Sequence, residues 1–158
     1  MTVAMYPGRF DPVTNGHLDI VRRAMGIYEA VVVAVAHSSS TLFTTEERVH
    51  LFQTAVSDMP TVRVVANKGL TVEAARQEGA QVLVKGLRAI TDFNSEFDMA
   101  LMNRKIAPEV ESTYLMTSLD HLFVSASRIR ELASFGYPVD DLVPAVVAEA
   151  LREKFKQR

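Results

Sequence analysis

Residues Thr2–Tyr6 lead straight into Tyr6-Pro7-Gly8-Arg9-Phe10-Asp11-Pro12-Val13-Thr14-Asn15-Gly16-His17, and then into Leu18, Val21, Met25 and Tyr28 at steps of three and four. The order is an apolar strand, a turn rich in Gly and Pro, and an amphipathic helix. Gly8 removes a side chain where the backbone must turn, which leaves room for a ligand to approach. Pro12 and the Asn15-Gly16 pair mark a rigid, tight connection. His17 falls in the first turn of the helix, beside backbone N–H groups and the positive end of the helix dipole, where a phosphate is the natural guest. Either ring nitrogen of His17 can serve a phosphoryl oxygen, most strongly as imidazolium. The competing reading is a capped turn with a surface histidine. Neither Gly-Lys-Ser/Thr nor Gly-x-Gly-x-x-Gly follows the strand, so this is neither of the two common phosphate loops.

The same alternation continues along the chain. The runs Thr2–Tyr6, Ala30–Ala36, Val62–Ala66, Gln81–Val84 and Thr113–Met116 are strand-length and mostly rich in Val. Most are apolar continuously, as strands covered on both faces are. Between them, Phe93, Phe97, Leu101 and Arg104 step at helical intervals with Met102 alongside, and Asp92 stands at the cap position. Thr44-Thr45-Glu46-Glu47 opens another helix with a hydroxyl at the N-cap and acids in the first turn. Val143, Val147, Ala150, Leu151 and Phe155 put one apolar stripe on the tail. Strand–helix alternation predicts an α/β fold on a mainly parallel sheet, with ligands beyond the carboxyl ends of the strands.

Composition bounds the chemistry. A chain of 158 residues without repeats or Ser/Gly linkers suits one domain over 1–158, with C-terminal helices from about residue 125. Zero cysteines exclude a disulfide framework, a Cys-ligated metal and thiol catalysis. The net charge of −2 gives no basic footprint for nucleic acid or an anionic membrane, so neither is expected as a partner. The longest apolar run, Ala30–Ala36, is too short to span a bilayer, and no signal peptide is visible, so a cytoplasmic location is expected. An anionic ligand must then be held by local charges and backbone dipoles, which predicts a locally positive site.

Two further constellations stand at strand ends. Lys85-Gly86-Leu87-Arg88 follows the fourth strand and reads as two phosphate-binding cations around a glycine, or as a solvated basic turn. It continues through Asp92, Phe93, Glu96, Met99, Met102 and Asn103. Phe123-Val124-Ser125-Ala126-Ser127-Arg128-Ile129-Arg130 sets two hydroxyls at a helix start, either a polyanion cradle or a plain Ser N-cap.

Pro-Gly-x-Phe-Asp-Pro-x-Thr-x-Gly-His resembles the first signature of the nucleotidyltransferase superfamily related to class I aminoacyl-tRNA synthetases. Thr14 in place of the first His of His-x-Gly-His is typical of the phosphopantetheine adenylyltransferases. The Gly86-Leu87-Arg88, Asp92-Phe93 and Met102-Asn103 block is similar to that family, as is Phe43-Thr44-x-Glu46-Glu47-Arg48, so the resemblance covers Tyr6 to about Pro144. It implies a Rossmann-like, five-stranded parallel sheet with helices on both faces, the nucleotidylyl transferase fold. It also implies transfer of AMP from ATP to 4′-phosphopantetheine, giving dephospho-coenzyme A and pyrophosphate; that chemistry implies Mg²⁺ bridging the phosphates, while no metal-ligand cluster is visible in the sequence. The catalytic residues it implies are His17, Lys85 and Arg88. The ATP side would comprise Arg9, Phe10, His17, Gly86, Leu87, Arg88, Glu96, His121, Leu122, Phe123, Val124, Ser125, Ala126 and Ser127. The acceptor side would comprise Arg9, Leu70, Thr71, Lys85, Met102 and Asn103. Met99 and Met102 line the pantetheine arm or pack in the core. A homohexamer and feedback inhibition by coenzyme A are implied likewise.

The chain departs from the family at three places. Ala126 replaces the middle of three serines, Arg9 stands where Ser or Thr is usual, and the loop His37-Ser38-Ser39-Ser40-Thr41-Leu42 is short and lacks the usual Lys. One cation lost and one gained suggests that Arg9 replaces the Lys from the opposite wall; the alternative is that Arg9 points into solvent. His121 stacks on adenine or does not, His37 is either a substitute contact or exposed, and His50 is a helix-face residue. Two rivals remain: a mononucleotide adenylyltransferase, which the Ser125–Arg130 segment permits and the Lys85–Arg104 block opposes, and a non-catalytic domain sensing ATP or coenzyme A.

Overall fold

The computed structural model describes residues 1–88, 90–122 and 124–156. Five parallel strands form one sheet in the order β3-β2-β1-β4-β5: β1 (Val3–Gly8), β2 (Ala30–Ala36), β3 (Val62–Asn67), β4 (Val82–Leu87) and β5 (Glu111–Met116). The crossover helices are α1 (Asn15–Met25), α2 (Thr45–Ala55), α3 (Thr71–Gln77) and α4 (Ile90–Ile106), and α5 (Ala126–Ser134) and α6 (Ala145–Lys156) complete the chain.

Both faces of the sheet are covered, and strand periodicity sorts the residues between them. Ala4 and Tyr6 of β1 with Val31, Val33 and Val35 of β2 join a core with α1, α2, α5 and α6. Val3 and Met5 with Val32 and Ala34 join a second core with α3. Successive side chains point to opposite faces, so a strand buried on both must be apolar at every position. The expected parallel sheet with helices on both faces is therefore the observed one. Thr14 and Thr44 each close a capping box, at α1 and α2 respectively.

Three details differ from the sequence reading. The first, third, fourth and fifth strands run longer than their apolar runs, so that Pro7-Gly8 and Lys85-Gly86-Leu87 lie inside strands; Lys85, Gly86 and Leu87 pair with Tyr114, Leu115 and Met116. Asp92 lies within the first turn of α4 and accepts the Arg88 N–H at 3.1 Å. The apolar stripe of α4 is not core: Phe93, Phe97, Met99, Leu101 and Met102 are all exposed.

The connections diverge at the centre of the sheet. β1 pairs with β2 at six positions but with β4 at only Ala4↔Val82 and Met5↔Leu83. Beyond these the two strands part, at the point where the strand order reverses direction. Gly8 does not leave its space to a ligand: a Cβ there would stand 2.8 Å from the tip of the Phe10 ring. Gly8→Ala should therefore destabilise the fold by about 1–3 kcal/mol, the usual cost of overpacking, measured by urea unfolding.

Candidate active site

A cavity of about 560 Å³ opens between the parted ends of β1 and β4. Tyr6 and Gly86 line it from the strands, with Phe10, Asp11, Thr14, Gly16 and His17 from the turn after β1 and Val124, Ser125, Ala126 and Ser127 from the start of α5.

His17 occupies the third helical position of α1, and the capping box fixes its ring. Its backbone N–H donates to Thr14 Oγ1 at 3.2 Å, while the Thr14 backbone N–H donates to His17 Nδ1 at 2.9 Å. A ring nitrogen that accepts carries no proton, so the neutral ring holds its hydrogen on Nε2. Phe10 meets the ring edge-to-face at 4.9 Å, and Tyr6 lies 6.4 Å away. Burial, reinforced by the Arg88 charge, lowers the His17 pKa from 6.5 to about 4. Of the two ring nitrogens the sequence left open, Nδ1 is taken by Thr14, and the neutral imidazole has one N–H, on Nε2, to donate. Burial pushes the neighbouring Tyr6 hydroxyl far above its ordinary range, so it stays protonated.

Charges on the walls are balanced rather than positive. The lining holds Arg9, Arg88 and Arg130 against Asp11, Asp92 and Glu96, which corrects the expectation of a locally positive site. Arg88 Nε lies 3.6 Å from Asp92, and its Nη1 donates to the Val124 carbonyl at 3.3 Å. Arg130 Nη1 donates to the Asp11 carbonyl at 2.5 Å. The Asp11 carboxylate accepts the backbone N–H groups of Leu42 and Phe43 at 2.8 and 3.0 Å. Ser125 is the N-cap of α5, its Oγ accepting the Arg128 N–H at 3.2 Å, and Ala126 and Ser127 then present the helix start to the cavity. Arg9 is exposed on the rim and makes no ion pair among the described residues.

The remaining sequence candidates divide. Glu96 lines the cavity, but Lys85 does not; its Nζ pairs with Glu96 Oε2 at 3.4 Å. Leu87 is buried in the sheet, and its carbonyl accepts the Thr117 N–H. His121 ends a 3₁₀ turn beside Gly16, and Leu122 is exposed beyond it. Phe123 lies outside the described residues. Leu70 and Thr71 open α3, and Met102 and Asn103 lie on α4, all away from the cavity wall. Met99 and Met102 are more than half exposed, which excludes core packing for both. His37 is exposed and meets Thr45 Oγ1 at 3.2 Å. The short loop contributes Ser40 and Thr41 to the lining that Arg9 also joins. Asp11, Asp92 and Arg130 sat inside the quoted motifs, yet nothing in spacing revealed their partners.

Among the described residues, no group of three or more His, Asp or Glu side chains stands together as a metal site. Neutral His17 has a consequence for stability. At pH 5 its ring is protonated in the unfolded chain and not in the folded one, so the folded state is favoured fully above pH 6.5 and loses that advantage as pH falls toward 4. A ¹⁵N-detected titration should place the His17 midpoint near 4 with the proton on Nε2 at pH 7; a midpoint near 6.5 would remove the neutral-ring assignment.

Residues 5–132 match the cytidylyltransferase-like family. Similarity to individual proteins spans the whole chain. A phosphopantetheine adenylyltransferase of Desulforudis audaxviator is 49% identical over 100% of this chain and 98% of its own length. Those of Moorella thermoacetica and Geobacter sulfurreducens are 48% and 46% identical, over 98% and 97% of this chain and 98% and 94% of theirs. On this evidence, together with the parted β1 and β4 and the capped His17, the chain belongs to the phosphopantetheine adenylyltransferase family within the cytidylyltransferase-like proteins.

Proposed function

We propose that the protein transfers the adenylyl group of ATP to the phosphate of 4′-phosphopantetheine, releasing pyrophosphate and dephospho-coenzyme A. The observation that carries this reading is the neutral His17 donor at the parting of β1 and β4, with Arg88 and the α5 N-terminus beside it and Arg9 on the rim. The acceptor phosphate is already a nucleophile. Its oxygen attacks the α-phosphorus, the bond to the bridging oxygen breaks, and pyrophosphate leaves with the electron pair. Neither a general base nor a covalent enzyme intermediate is required, so positioning and charge stabilisation supply the catalysis.

On this reading His17 Nε2–H donates to the α-phosphoryl oxygen as negative charge builds. Arg88 and the N–H groups of Ala126 and Ser127 hold the departing pyrophosphate. Glu96 and His121 serve the nucleotide, and Arg9 anchors the acceptor phosphate. Lys85 joins Arg9 only by exchanging Glu96 for that phosphate. Mg²⁺ enters as part of the nucleotide substrate, on its phosphates. Coenzyme A carries the same pantetheine arm as the acceptor and, as a feedback inhibitor, competes for the same subsite.

The whole chain is read as one nucleotidyltransferase domain acting in the cytoplasm; no helix among the described residues is long and apolar enough to cross a membrane. A homohexamer is part of the same proposal, and exposed Phe93, Phe97, Leu101 and Met102 offer an apolar face to it.

A pyrophosphate-release assay with ATP should give turnover with 4′-phosphopantetheine and little with nicotinamide mononucleotide. The reverse preference favours the mononucleotide rival, and ATP binding without turnover favours a sensor. His17→Asn should lower kcat by about 10²–10³ with KM for both substrates little changed, as for loss of one transition-state donor. Arg9→Ala should raise the acceptor KM more than about tenfold and leave that of ATP alone, since a hydrogen bond to a charged group contributes about 1.5–3 kcal/mol. Equal effects on both substrates, or none, would remove Arg9 from the acceptor subsite.

A further inference from the structure

Arg48 of α2 is wholly buried, with 0% of its surface exposed, and none of the ion pairs among the described residues includes it. A guanidinium remains charged when buried, and an apolar side chain of its size would fill the space at lower cost. Four hydrogen bonds and the nearby Asp11 carboxylate compensate the charge. Nη1 donates to the Arg9 carbonyl at 2.7 Å and the Ala36 carbonyl at 2.8 Å, Nε to the Phe43 carbonyl at 3.2 Å, and Nη2 to Thr45 Oγ1 at 3.0 Å. The three carbonyls belong to three segments: the turn after β1, the end of β2 and the loop before α2.

The next residue after the first of these carbonyls is Phe10, with φ +50. That is the left-handed region, which a bulky side chain adopts only where its surroundings impose it. The Arg9–Phe10 peptide is thus held from behind in a conformation its own residues disfavour. In front of it, Arg9 and Phe10 both line the cavity, and the Phe10 ring backs His17.

We infer that Arg48 is a positioning residue for the acceptor side of the cavity: by clamping the Arg9 carbonyl it fixes where the Arg9 guanidinium meets the acceptor phosphate. This rests on the adenylyl-transfer reading. A residue that only filled the core would lower the amount of folded protein, and with it the total rate, while leaving both KM values unchanged.

The test is a double-mutant cycle on the full chain, with KM for ATP and for 4′-phosphopantetheine measured on protein shown to be folded by its melting curve. Arg48→Lys keeps the charge but has a single donor nitrogen for three carbonyls. It should raise the acceptor KM at least fivefold and change that of ATP less than twofold. In an Arg9→Ala background the same substitution should add nothing further to the acceptor KM. Should Arg48→Lys not fold, Thr45→Val, which removes one of its partners, should raise the acceptor KM in the same selective way, and Thr45→Ser should restore it. Additive effects in the cycle, equal effects on both substrates, or a lowered melting point with both KM values unchanged would overturn the clamp. Absence of turnover in the unsubstituted protein would instead overturn the adenylyl-transfer reading.

Discussion

β1 and β4 are hydrogen-bonded neighbours at two residue positions and then separate, and the site depends on that separation. Every other strand pair in the sheet runs six positions to its end. The chain winds outward from β1 to β3 on one side and restarts at β4 on the other. The connections that follow β1 and β4 therefore leave in opposite directions, and a crevice must open between them. The backbone at its mouth faces no neighbouring strand, so side chains from loops and helix starts take over the organising role. Asp11, Arg48, Arg88 and Arg130 all fill it by binding backbone N–H or carbonyl groups, in most cases far away in sequence.

On the proposed reading, this arrangement lets a chain of net charge −2 hold several phosphates without a surplus of cations. Arg88 and Arg130 are partly neutralised by Asp92 and Asp11, which keeps the empty cavity from storing strong like-charge repulsion. Neutral donors supply the remainder: the Nε2–H of His17 and the first N–H groups of α5. A neutral histidine has a further advantage at a reacting phosphate. It gains most as charge develops on the oxygen it faces, because it has no full charge of its own with which to tighten the ground state.

The fold was legible because its signals are local. Val-rich runs marked the strands, the Thr44 hydroxyl and the acids after it marked the start of α2, and Val147 and Leu151 of the tail's apolar stripe marked the buried face of α6. The site was legible only as far as motif residues stand on the cavity wall, which holds for His17, Gly86, Arg88, Glu96 and the Ser125–Ser127 segment. What escaped was partnership. The partner of Gly8 is a ring two residues on, which bends back through a positive φ. The ring nitrogen of His17 was settled by the Thr14 backbone, and the paired charges of Lys85 and Arg130 by acids that no spacing rule connects to them. The exposed face of α4 misled for a different reason: helical periodicity reveals that a stripe exists and not what covers it.

On the proposed adenylyl-transfer reading, Arg9 on the β1 turn takes the place of the lysine that the loop after β2 lacks. The loop after β2 is tied down within itself, with Ser38 Oγ 3.2 Å from Ser40 Oγ and Thr41 Oγ1 donating to the Phe43 carbonyl at 2.7 Å. A lysine carried there would sit on a short, internally bonded segment with little reach. Arg9 instead extends from a peptide held by a buried guanidinium, and its planar fork loses less freedom per hydrogen bond than an ammonium on a flexible stem. Ordering a long side chain at a binding site costs about 0.5–1.5 kcal/mol. With Arg9 as the proposed anchor of the acceptor phosphate, fixing its backbone before the substrate arrives would remove part of that cost, a contribution beyond the number of cations.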